Sequence, residues 1–102
     1  MKMNNLMKQA QQMQAKMTTL QKELDSREVE SSSGGGMVKV KVNGKQEILS
    51  ISINKECVDP NDVEMLEELV MTAINQAVND SKEMVSSAMG KITGGINIPG
   101  LF

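Results

Sequence analysis

Four lysines stand among the first 22 residues of this chain, Lys2, Lys8, Lys16 and Lys22, with no acid between them. Ammonium groups spread in this way can hold anions, phosphate above all. Between residues 59 and 83 the balance reverses. Asp59, Asp62, Glu64, Glu67, Glu68, Asp80 and Glu83 stand there against Lys82 alone. The net charge is only −2, yet the two segments present opposite fields.

The residues needed for catalysis are missing. There is no His, which removes the commonest general base and the commonest metal ligand together. No Cys-His or Ser-His pair exists, and no metal-ligand spacing occurs. Cys57 reads as a strand-end or loop thiol and not as a nucleophile. The acids of the second charged segment could pair in principle, but no pocket of polar groups accompanies them. They match no complete calcium loop, because the sixth-position Gly and the closing Glu are out of register. The run Gly34-Gly-Gly36 lacks a following Gly-Lys-Ser/Thr and leads into a strand, so it is read as a mobile connection and not a phosphate loop. The chain is expected to be a binding or structural protein, with no cofactor, no metal and no small-molecule substrate.

Composition narrows the class further. A chain of 102 residues suits one domain, residues 1–102. Its apolar material includes ten Met but one Phe and no Trp or Tyr. Met fills gaps yet specifies packing poorly, so part of the stability is expected from a partner chain. The single Cys fits a reducing cytoplasm. No apolar run is long enough to span a membrane, and the N-terminus is too polar for a signal peptide.

The elements that carry these charges are legible in the spacing. Residues 1–24 lack Gly and Pro and are rich in helix formers. Met3, Leu6, Ala10, Met13, Met17, Leu20 and Leu24 follow 3-4 spacing, a coiled-coil-like seam. The helix would be roughly 35 Å long, so part of it should project or pair with another helix. Its Gln- and Lys-rich surface fits a solvated face as well as a binding one. Residues 27–54 are expected to form a sheet. Arg27-Glu-Val-Glu30 reads as a short edge strand and Ser31-Ser-Ser-Gly-Gly-Gly36 as a flexible link.

The central hairpin follows. Val38, Val40 and Val42 alternate with Met37, Lys39, Lys41 and Asn43, and Asn43-Gly44 suits a two-residue turn. That turn would set Val42 opposite Lys45, Val40 opposite Glu47 and Val38 opposite Leu49. Leu49, Ile51 and Ile53 would share the valine face. Val38, Val40, Val42, Leu49, Ile51 and Ile53 then expose more apolar surface than one chain covers, and predict a homodimer interface. A second helix is expected over 60–89, capped by Asp59 with Pro60 first. Leu66, Leu69, Val70, Ala73, Ile74 and Ala77 form its buried stripe. Residues 90–102 are read as a flexible tail.

A family resemblance rests on four stretches. They are Asn5-Leu-Met-Lys-Gln-Ala-Gln-Gln-Met-Gln14, Gly35-Gly-Met-Val-Lys-Val-Lys-Val-Asn-Gly44, Asp59-Pro-Asn-Asp-Val-Glu-Met-Leu-Glu-Glu-Leu-Val70 with Ala73 and Asn75-Gln-Ala77, and Gly94-Gly95 with Pro99-Gly-Leu-Phe102. In that order, and over nearly the whole chain, they resemble the YbaB/EbfC family of bacterial nucleoid-associated proteins. The resemblance implies an α+β fold with a long N-terminal helix, a three-stranded antiparallel sheet and a long C-terminal helix. It also implies a dimer whose paired helices are held like tweezers around duplex DNA, in the cytoplasm at the nucleoid. Ser31, Ser32 and Ser33 stand where members often carry a Gly-bearing segment, a departure that bears on loop mobility and not on binding.

With DNA as the implied partner, Lys2, Asn5, Lys8, Gln9, Gln12 and Lys16 of the first helix are the expected contacts. Lysines there supply sequence-independent affinity for phosphates, and the lack of aromatics argues against single-strand stacking. A different class also fits: a protein-interaction adaptor whose Met-rich helix docks in a partner's groove.

Overall fold

The computed structural model describes residues 2–93. The chain forms helix α1 (Lys2–Ser26), strands β1 (Glu28–Ser33), β2 (Val38–Asn43) and β3 (Ile48–Ile53), and helix α2 (Val63–Thr93). The strands make one antiparallel sheet in the order β1-β2-β3. This is the expected α+β arrangement of two helices around a three-stranded sheet.

Alternation in β2 decides how the layers stack. Val38, Val40 and Val42 face α2 and are fully buried with Ala73 and Ala77, while Lys39 and Lys41 face out. The two alanines let the helix axis come close to the strand. On β1 the inward positions are Val29, Ser31 and Ser33. Both serines hydrogen-bond across the layer, Ser31 Oγ donating to Asp80 Oδ2 at 2.6 Å and Ser33 Oγ to the Leu69 carbonyl at 2.5 Å. Residues 31–33 are therefore strand and not a flexible link. Their hydroxyls meet partners on α2, which a buried serine needs.

Three further expectations change. The hairpin connection is Gly44-Lys45-Gln46-Glu47, not a two-residue turn. Asn43 N–H donates to Glu47 O at 3.1 Å, and Gln46, not Gly44, takes the left-handed conformation at φ 61°. The longer loop and a bulge after Lys41 reset the register, pairing Val38 with Ile53, Val40 with Ile51 and Val42 with Ile48. Glu47 and Lys45 fall outside the ladder, and Leu49 is the extra residue of the bulge.

Asp59 does not cap α2. Its carboxylate accepts from Asn61 N–H at 2.9 Å in a tight turn holding Pro60, and Asp62 Oδ1 accepts from Met65 N–H at 3.3 Å instead. The helix begins at Val63 for that reason. It runs on through Gly90 to Thr93, so residues 90–93 are helical and not a tail. Residues 94–102 of the expected tail lie outside the described residues.

The glycine run has a backbone reason. Gly34, Gly35 and Gly36 all have positive φ, at 60°, 67° and 95°, a conformation that side-chain-bearing residues rarely adopt. The run turns the chain from β1 into β2 under α2.

Candidate nucleic-acid interface

The root of α1 is fixed at one point of the sheet. Leu24 is fully buried, and its carbonyl lies so close to Gly44 that any β-carbon there would collide with it. The same loop holds α2, because Ser81 Oγ donates to Asn43 O at 2.6 Å and accepts from Gln46 Nε2 at 3.1 Å. The hairpin loop therefore ties both helices together. Moving outward along α1, Leu20, Met17 and Met13 are half-buried. Beyond them Leu6 is 64% exposed and Met3 76%. The helix thus leaves the body as an arm, and the molecule measures 73 × 23 × 16 Å.

The expected contact residues sit on that arm. At about 100° per residue, Lys2, Asn5, Lys8, Gln9, Gln12 and Lys16 fall within an arc of about 120° of α1. The apolar seam lies beside this arc and not within it. Asn5, Lys8, Gln9, Gln12 and Lys16 are all exposed; the side chain of Lys2 lies outside the described ones. One cationic and amide-rich stripe therefore runs along the arm, with Lys16 lying in a shallow groove beside Leu20 and Glu23. Gln and Asn carboxamides add neutral donors between the charges. The arrangement can donate to a row of anionic oxygens. Among the described residues no group of acids or Cys is placed to hold a metal ion, and no helix is long and apolar enough to cross a membrane.

Of the acids on α2, Glu64, Glu67 and Glu68 in its first turns and Glu83 further along are exposed, whereas Asp80, past the middle of the helix, is drawn into the body. The Ser31 hydroxyl, then the Gln76 amide at 2.8 Å, hold its carboxyl below the usual value. Ser31 and Asp80 are a structural pair that charge counting in the sequence did not separate from the exposed acids.

The expected dimer surface divides. Val38, Val40 and Val42 are enclosed by the chain's own α2, so they offer nothing to a second chain. Leu49, Ile51 and Ile53 remain 42–47% exposed, as does Ile48. The cause is the position of α2, which packs on β1 and β2 and leaves β3 uncovered. Leu69 and Asp80 face β1 across the layer. An apolar groove on a different flank of α2 runs along Leu66, Val70, Met71 and Ile74.

Residues 1–96 match the model of the YbaB/EbfC DNA-binding family. A nucleoid-associated protein of Alkaliphilus metalliredigens is 58% identical over 100 residues, covering 98% of this chain and 88% of that one. Another, from Desulforamulus reducens, is 59% identical over 100 residues, covering 98% and 95%. In fold the chain is similar to the uncharacterized protein HP0035 from Helicobacter pylori, whose crystal structure superposes with a TM-score of 0.76. That match covers 92% of this chain and 99% of the other at 24% identity. The arm, the sheet and the second helix thus belong to a member of the YbaB/EbfC family, a family of DNA-binding proteins and not of enzymes.

Proposed function

We propose that this protein binds duplex DNA as a homodimer at the nucleoid, mainly through phosphate contacts from α1, and so affects nucleoid organisation and gene expression. The observation that carries the reading is the exposed stripe of Lys8, Gln9, Gln12 and Lys16 on a helix held clear of the body. The relatives' description as nucleoid-associated supports the location. The uncovered β3 supports the dimer, since Leu49, Ile51 and Ile53 on a sheet edge favour association over solvation. Two-fold pairing would present two arms to one duplex.

The reading is tested by duplex affinity as a function of salt. Lys2, Lys8 and Lys16 on each of two arms allow a log-log slope of up to about −5, at about 0.9 per phosphate. A second reading is favoured by one observation: Met3, Leu6 and Met7 are 61–76% exposed at the tip of the arm. A Met-bearing tip suits docking to a partner protein. Affinity carried by that tip would be nearly independent of salt, whereas phosphate binding falls steeply.

A further inference from the structure

At its root, α1 packs against the last turns of α2 and leaves a cleft of about 400 Å³ lined by Leu20, Arg27, Met84, Ser87, Ala88 and Lys91. Its floor is apolar and its rim is cationic. Arg27 stands at the junction of α1 and β1, its N–H donating to the Leu24 carbonyl at 3.1 Å. Lys91 and Ser87 lie one helical turn apart on α2. The acids nearest in sequence, Glu23, Asp25, Glu28 and Glu83, do not line the cleft, and Asp25 accepts from Gln21 Nε2 instead. Each cation, taken singly, suits the C-terminal end of a helix dipole. The dipoles do not account for a guanidinium from the α1–β1 junction lining one space with an ammonium and a hydroxyl of α2, and without a carboxylate.

We propose that this cleft is a second phosphate site, taking a phosphodiester of the duplex whose other phosphates lie along the α1 stripe. The inference rests on the DNA-binding reading and adds an anchor that the stripe does not contain. Arg27 supplies a fork suited to two phosphate oxygens, Lys91 a point charge, and Ser87 a neutral donor. Between Lys8 and Arg27 lie about 28 Å of chain at 1.5 Å per residue, so the duplex would be held near both the tip and the root of the arm. Anchoring at the root would fix its direction relative to the sheet.

The test uses the full chain and a random-sequence duplex, with affinity measured across a salt series. Arg27→Gln with Lys91→Gln should flatten the log-log slope by about 0.9 for each phosphate no longer neutralised. By the same law, each such phosphate is worth about eightfold in affinity at 0.1 M salt. Arg27→Lys should retain the slope, because holding a phosphate needs charge and reach. Lys82→Gln, a charge removal outside the cleft, should leave the slope unchanged. Circular dichroism should match wild type, since both cations are exposed.

Three results overturn the assignment. In the first, the double variant keeps the wild-type slope while Lys8→Gln flattens it, so the arm binds DNA and the cleft does not. In the second, Lys82→Gln has an equal effect, and the response is one of net charge. In the third, the duplex binds wild type and the double variant alike while inorganic phosphate binds wild type alone, and the cleft takes free phosphate instead. A wild-type protein with no salt-dependent duplex affinity would defeat this site and the proposed function together.

Discussion

Placing aspartate at Ile51 and at Val40 separates two roles that share one face of the sheet. Val40 is fully buried beneath α2, whereas its cross-strand neighbour Ile51 is 45% exposed. Full burial of an Ile side chain is worth about 1.5–3 kcal/mol, so roughly half of that, about 1 kcal/mol, is still to be gained at Ile51. In a two-fold dimer the residue occurs twice. Removing both contributions costs about 2 kcal/mol, which raises the dimer dissociation constant about 30-fold before any charge effect. Desolvating two carboxylates at the same edge adds to that. Ile51→Asp is therefore expected to be a folded monomer at micromolar concentration. Val40→Asp should not fold, because its charge would sit unpaired inside the core. Sedimentation equilibrium with circular dichroism reads both outcomes. If Ile51→Asp dimerises as tightly as wild type, β3 is not the interface. If it loses its helices as Val40→Asp does, the core is not complete within one chain.

Other expectations follow from single contacts. Gly44→Ala should lower stability by at least about 2 kcal/mol in denaturant unfolding, because the new methyl meets the Leu24 backbone and not a movable side chain. The carboxyl of Asp80 is held below 3.8 chiefly by Ser31. Its contribution to stability is therefore present above pH 3.8 and disappears as pH falls through the folded value. Ser31→Ala should flatten the acid side of a plot of melting temperature against pH. Cys57→Ser should leave duplex affinity unchanged, since Cys57 is buried in the turn after β3, donating to Asn54 O at 3.0 Å, and not on α1.

Elements with strong periodicity were legible from the sequence alone. The 3-4 spacing of α1 and the alternation of β2 gave both elements, the buried face of β2, and the seam of α1 that is covered only from Met13 to Leu24. What the sequence withheld was set by contacts between distant residues. The hairpin loop depends on Gln46 reaching Ser81, 35 positions away. Asn43-Gly44 looks like a sufficient turn until Leu24 claims Gly44 for close approach. Residues 31–33 look like a linker because serine is common in linkers. Their strand conformation comes from β2 pairing and from acceptors on α2. The cap of α2 fell on Asp62 because Asp59 was occupied by its own turn. For the candidate site, helical spacing gathers the arm residues on one arc of α1, where Asn5, Lys8, Gln9, Gln12 and Lys16 are exposed. The cleft at the arm's root was not visible, because Arg27 and Lys91 lie 64 positions apart and meet only when α1 folds onto α2.

The claim that α1 is the DNA-binding arm is tested most directly by comparing the salt dependence of duplex affinity in wild type and Lys8→Glu. Lys8 is exposed, lies off the apolar seam and is far from the root of the arm, so fold and dimer should be preserved. The predicted result is weaker binding with a log-log slope flatter by about 0.9 for each phosphate left without its lysine, about two units if both arms of a dimer engage the duplex. The contradicting result is an unchanged affinity and an unchanged slope. Duplex binding would then have to come from another surface, with Lys39 and Lys41 on the outer face of the sheet the first to examine.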